Sequence, residues 1–285
     1  MKRIFIFLIL TALIFSGCGK GEVKRKVVSA TIFPLYDFVR NIVDETDIEV
    51  NLIVPPGESP HTFSLTPEEV KKIEGSRIVF YNDFGLDEWI ISSAKSIGVE
   101  KLVNVNKTLT PINGNPHFWL SIPYAIKECE TIKDSLIEEF PEYRETFEKN
   151  FNTYKEKLLS LHERIKKSID KLKEKRIITY HPAYLYFAKE YGLKVVYVIE
   201  KSPGKEPTPK EIAEIEDIIK NENIKVLFIE PQLSSSVVDG IVSDTGVKVF
   251  TLDPLGGTPD RDSYLKLMNY NLNTILEALG ENCGG

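Results

Sequence analysis

Short β-rich apolar runs alternate with helix signals along nearly the whole chain, and one stretch in the middle breaks the rhythm. Val27–Ile32, Ile48–Val54, Ile78–Tyr81 and Leu102–Val105 read as strands, as do Arg176–Tyr180, Val195–Ile199, Lys225–Ile229 and Lys248–Leu252. Helix patterns separate them, with Leu35, Phe38, Val39 and Ile42 on one face and further helices over 87–96, 122–140, 182–191, 235–244 and 263–279. Strands joined through helices favour parallel sheets covered on both faces. The exception is 142–175, where Tyr143, Phe147, Phe151, Tyr154, Leu158, Leu161, Ile165, Ile169 and Leu172 recur at spacings of three and four among charged residues. Such a helix runs roughly 50 Å, longer than one lobe is wide, and reads as a rigid strut between two lobes, with a coiled-coil partner as the alternative. The fold class is therefore α/β, with two lobes, each a mainly parallel sheet flanked by helices, joined by one long helix. The boundaries are an N-terminal lobe at 27–140, the linking helix at 141–175 and a C-terminal lobe at 176–285.

Two helix starts echo each other. Thr66-Pro67-Glu68-Glu69 and Thr208-Pro209-Lys210-Glu211 both place Thr as N-cap, Pro at the first helical position and Glu two residues on, the pattern of a capping box. Each leads to an apolar strand, as two lobes of similar build would require.

The first residues carry a separate signal. Lys2 and Arg3 precede an apolar run from Ile4 to Phe15, then Ser16-Gly17-Cys18. A basic start, a short apolar core and small residues make residues 1–17 a secretory signal peptide; the run falls short of the roughly 20 residues that span a bilayer. Small residues ending in Cys resemble a lipobox, so Cys18 is expected to be acylated, with residues 18–26 as the tether. Losing residues 1–17 removes Lys2 and Arg3 and no acid, so the net charge falls from −6 to −8. That argues against a nucleic-acid partner. Of the three cysteines, Cys129 sits on an apolar helical stripe and Cys283 in a glycine-rich tail, a pair not expected to bridge; with no CxxC, a thiolate metal site is not expected either.

The chemistry lies in the histidines. Three of the four, His61, His117 and His181, follow the carboxyl end of a strand, and each adjoins a proline (Pro60, Pro116, Pro182). That rim is where open α/β sheets bind ligands. Asp253 before Pro254 and Glu230 before Pro231 have the same placement. A single loop histidine is more often a hydrogen-bonding surface residue, and Asp before Pro commonly opens a turn; the repetition at one topological position is what points to a site. Neutral imidazoles with a carboxylate suit zinc and related divalent ions. Asp253 is favoured over Glu230 as the carboxylate ligand, with the other nearby. The fourth histidine, His162, lies among charges within the long helix and reads as solvent-facing. Affinity is expected to fall as pH drops through the imidazole range, about 6.5.

These motifs occur together and in order: Ile32-Phe33-Pro34-Leu35, Gly57-Glu58-Ser59-Pro60-His61-Thr62-Phe63-Ser64-Leu65-Thr66-Pro67, Leu86-Asp87-Glu88-Trp89, Asn115-Pro116-His117-Phe118-Trp119-Leu120, His181-Pro182-Ala183-Tyr184, Phe228-Ile229-Glu230-Pro231-Gln232 and Leu252-Asp253-Pro254-Leu255-Gly256. The chain resembles the zinc- and manganese-binding solute receptors of ABC importers (ZnuA/TroA type). The resemblance implies two lobes joined by a long helix, with metal held between them by His61, His117, His181 and Asp253. It also implies a monomeric lipoprotein on the extracytoplasmic face, or a periplasmic protein, serving a membrane permease and its ATPase. Two departures stand out. The loop Asn106–Asn115 is short and carries no His, Asp or Glu, where zinc members often carry a His- and acid-rich loop, and Asn115 stands where the family usually has Asp. His181 occupies the position at which manganese-preferring relatives tend to have Glu, which favours zinc, with manganese as the alternative. Rival readings are a zinc hydrolase with Glu230 as base, which lacks an HExxH motif, a receptor for a metal chelate or vitamin, and a metal-stabilised adhesin or surface lipoprotein.

Overall fold

A computed structural model of the protein describes residues 25–99, 101–202, 204–232 and 236–280. The signal peptide, Cys18 and Cys283 lie outside the described residues. The first half runs β1 (Val27–Ala30), α1 (Phe33–Ile42), β2 (Glu49–Leu52), α2 (Pro67–Glu74), β3 (Ile78–Tyr81), α3 (Trp89–Ile97), β4 (Lys101–Asn104) and α4 (Ile122–Glu139). The long helix α5 (Arg144–Asp170) follows, then β5 (Arg176–Thr179), α6 (Leu185–Tyr191), β6 (Lys194–Val198), α7 (Pro209–Asn221), β7 (Val226–Ile229), α8 (Ser236–Thr245), β8 (Lys248–Thr251) and α9 (Tyr264–Leu279).

The strands form two four-stranded sheets, ordered β2-β1-β3-β4 and β6-β5-β7-β8, with every pairing parallel. The order is the same in both. The echo in the sequence follows from it: α2 and α7, each opened by a complete capping box, feed the third strand of their sheets. Parallel strands carried in one sense bring all their carboxyl ends to one edge, so each sheet offers a single rim of loops.

α5 is shorter than the apolar repeat suggests. Pro141–Tyr143 form a 3₁₀ turn before it and the helix ends at Asp170, leaving 27 residues, roughly 40 Å. Nor is it a bare strut. Phe147, Phe151, Tyr154, Leu158, Leu161, Ile165 and Ile169 are buried against α1, α4 and α9. One apolar cluster continues from Val28 and Phe38 through this stripe to Phe187, Phe228 and Leu272, so both sheets share a core. His162 is packed rather than solvent-facing: α6 lies across that side of α5, and His162 Nδ1 is 3.2 Å from the Tyr191 hydroxyl.

α3 starts at Trp89, two residues later than the pattern suggests, because Asp87 serves the preceding loop. Its buried carboxylate accepts the backbone N–H groups of Asn82 and Asp83 and the Thr31 hydroxyl. Cys129 is buried in the shared core as a free thiol. Among the described residues no helix is long and apolar enough to cross a membrane.

Candidate metal centre

The two rims face each other, and each histidine arrives on a loop fixed by its surroundings. His61 follows β2, and its neighbour Pro60 offers a carbonyl to the Trp89 indole N–H at 3.0 Å. His117 follows β4 through a tight turn in which Asn113 and Gly114 both take positive φ. His181 follows β5 after the single residue Tyr180 and opens the 3₁₀ turn Pro182–Tyr184. His117 and His181 are buried, and His61 is half-buried.

The structure brings the three rings together. One nitrogen from each of His61, His117 and His181 lies within 4.8 Å of the other two, and the ring centroids are 5.1 to 5.4 Å apart. Hydrogen bonding decides which nitrogen faces inward. His61 Nδ1 meets the Gly85 carbonyl at 3.2 Å, and a carbonyl only accepts, so Nδ1 carries the proton. His181 Nδ1 meets the Glu200 carboxylate at 3.2 Å, with the same consequence. His117 Nδ1 lies 2.9 Å from Asn115 Oδ1, which also accepts the His117 backbone N–H. All three Nε2 atoms therefore carry lone pairs.

Those lone pairs converge. His61 Nε2 and His117 Nε2 are 3.4 Å apart with no proton between them, and His181 Nε2 is buried with no protein hydrogen-bond partner. Facing lone pairs at that range repel unless a cation sits between them. A tetrahedral zinc with bonds near 2.0–2.1 Å separates its nitrogens by about 3.3 Å, close to the spacing observed. Burial, with His181 next, pushes His61 down to about 4. Burial and the two neighbouring imidazoles hold His117 well below the usual range. Both rings are neutral at neutral pH, the form that binds metal.

A cavity of about 120 Å³ opens beside the rings, lined among others by Glu200, Glu230 and Gln232. The two candidate carboxylates differ in their surroundings. Glu230 lines this cavity, and its buried Oε1 has no hydrogen-bond partner; burial, opposed by His181, pushes its carboxyl up to about 7. Asp253 is engaged on both oxygens. Oδ1 accepts the backbone N–H groups of Leu255 and Gly256 at 2.9 and 3.0 Å, and Oδ2 lies 3.2 Å from Arg261 Nε. Neither Asp253 nor Glu230 is among the residues whose ligand atoms cluster with the histidines. Glu200 follows β6 and so satisfies the same strand-end rule, but with no adjacent proline or histidine the sequence does not single it out.

Comparison with known proteins gives the family. The profile of the family described as zinc-uptake complex component A, periplasmic (ZnuA), matches residues 28–278. The chain is 29% identical to the high-affinity zinc uptake system protein ZnuA of Bacillus subtilis, over 94% of each chain. It is 29% identical to the zinc-binding lipoprotein AdcA of Streptococcus pneumoniae, covering 96% of this chain but only 60% of that longer protein. Among solved structures, the Zn(II)-bound ZnuA-like domain of the same organism's AdcA superposes with a TM-score of 0.77 at 28% identity, over 90% of this chain and 100% of that one. FpvC of Pseudomonas aeruginosa in complex with Mn2+ does so with a TM-score of 0.80 at 29% identity, over 91% and 100%. With its fold and its profile match both extending over most of its length, the chain belongs to the ZnuA family of periplasmic zinc-uptake components.

Proposed function

We propose that the protein captures a divalent transition metal, zinc foremost and manganese as the alternative, and hands it to an ABC permease driven by a cytoplasmic ATPase. It does so from the extracytoplasmic face as a monomer anchored through Cys18. The observation that carries this reading is the convergence of three Nε2 lone pairs from His61, His117 and His181, each ring held from behind by an acceptor on Nδ1. Imidazole ligands favour zinc over manganese by intrinsic affinity. Charge supports the assignment: a divalent cation between the rings would meet the acidic side chains of Glu200 and Glu230, which line the same cavity.

The fourth donor is a carboxylate oxygen from the second sheet. Glu230 is better placed to supply it, since it lines the cavity with a bare oxygen, while Arg261 and backbone N–H groups occupy Asp253. Asp253 then orders its loop and keeps Arg261 in place. The protein binds its cargo and does not transform it: three nitrogens and a carboxylate close the tetrahedron that a hydrolase leaves open for water.

Competition with a chromophoric chelator tests the site. His117→Ala should lose zinc affinity by orders of magnitude; affinity equal to the parent's would end the reading. Glu230→Gln should lose more than Asp253→Asn, and the reverse ranking returns the ligand role to Asp253. Uptake of labelled zinc into permease-bearing vesicles, dependent on added protein, tests delivery.

A further inference from the structure

Asn115 does more than face His117. Its backbone N–H-accepting oxygen fixes the orientation of its amide: the His117 N–H can only donate, so Oδ1 lies on that side, at 2.9 Å, and accepts Nδ1–H as well. The amide nitrogen therefore points the other way, and there it donates to the carbonyl of Pro182 at 2.7 Å. Pro182 follows His181 and belongs to the other sheet's rim. One side chain thus holds a ligand of the first sheet and the segment carrying a ligand of the second. The arrangement is reinforced from the same side, where the Tyr186 hydroxyl accepts the Ile112 N–H at 2.9 Å and donates to the Asn115 carbonyl at 2.7 Å.

We propose that Asn115 is a positioning residue that sets the spacing between the metal ligands of the two lobes, through its simultaneous contacts with His117 and the Pro182 carbonyl. The inference rests on the metal-binding reading above. An aspartate at this position would keep the contact to His117 but has no donor for the Pro182 carbonyl, and would set a negative charge against it. Asparagine thus gives His117 a neutral support that also ties the lobes.

Two variants separate the two contacts. Asn115→Ala removes both and should lose on the order of tenfold or more in zinc affinity. Asn115→Asp restores only the support behind His117. It should recover only part of the affinity, and zinc release to excess chelator, followed by stopped flow, should stay faster than the parent's. The visible bands of the cobalt-loaded protein, which report ligand geometry, should stay displaced from the parent's in both. Melting of the metal-free variants serves as the folding control. If Asn115→Asp restores the parental release rate and cobalt spectrum, or Asn115→Ala matches the parent in all three measurements, the cross-lobe role is refuted. His117→Ala keeps the two readings apart: parental zinc affinity there refutes the site itself, whereas its loss with a parental Asn115→Asp refutes only the role of Asn115.

Discussion

At each of the three histidines the backing group decides what the ring can do. A carbonyl, a carboxylate and an amide oxygen each accept from Nδ1, so each ring is fixed as the tautomer whose Nε2 binds metal. Glu200 is the most replaceable of these partners. Glu200→Gln should lower zinc affinity about 10-fold or more without emptying the site, and unchanged affinity in a chelator competition would contradict it. Burial also moves the pH window that the bare imidazole value suggests. In the unfolded chain His61 takes up a proton near pH 6.5, whereas in the metal-free fold it does so only at about 4. Between those values the unfolded state binds more protons, so folding stability drops as pH falls from 6.5 toward 4. The melting temperature of the metal-free parent should therefore fall more steeply from pH 7 to pH 5 than that of His61→Gln; parallel slopes would argue against it. The histidines were legible in the sequence because a strand end beside a proline is a local pattern. The state of Asp253 was not, since its partner Arg261 lies eight residues on and is returned to it by the turn at Thr258–Arg261. His162 misled for a related reason: the charges beside it in sequence say nothing of α6, which covers it.

Element ends written in local chemistry are legible in the sequence, and those that depend on distant partners are not. Both capping boxes formed where Thr, Pro and Glu predict them. α3 lost its first residues because Asp87 is drawn to Thr31 and the 82–83 backbone, contacts that no helical periodicity records. The capping box of α7 offers a test confined to one element. Thr208 accepts the Glu211 N–H, and the Glu211 carboxylate accepts the Thr208 N–H at 2.9 Å. Thr208→Ala should cost about 1 kcal/mol in chemical denaturation. Zinc affinity should be unaffected, because α7 does not line the metal cavity. A change in affinity at constant stability would mean that α7 communicates with the rim.

The two sheets look like separate domains in strand order, yet the helices make them one body. α9 follows the last strand of the second sheet and returns to the first: its Tyr264 N–H donates to Asp37 of α1 at 2.9 Å, and the Trp119 indole donates to the Pro254 carbonyl at 2.7 Å. The rims also touch at Gly257. A Cβ on Gly257, which holds φ at +88°, would come within 2.9 Å of Pro56 and 3.1 Å of Phe33 across the cleft, so the loops close on each other through a position that only glycine fills. Each half has a smaller apolar cluster of its own, but the continuous core through α5 leaves neither able to cover alone the apolar surface that meets α5. Unfolding should accordingly be a single cooperative transition, shifted upward by zinc because only the folded state gathers the ligands. A fragment ending at residue 140, or one beginning at 176, should remain without a cooperative melt, the first lacking the α5 stripe and α9 that cover α1 and α4, the second lacking α1 and α5. Either fragment melting cooperatively by circular dichroism would show that the shared core is dispensable, and that the lobes are hinged units after all.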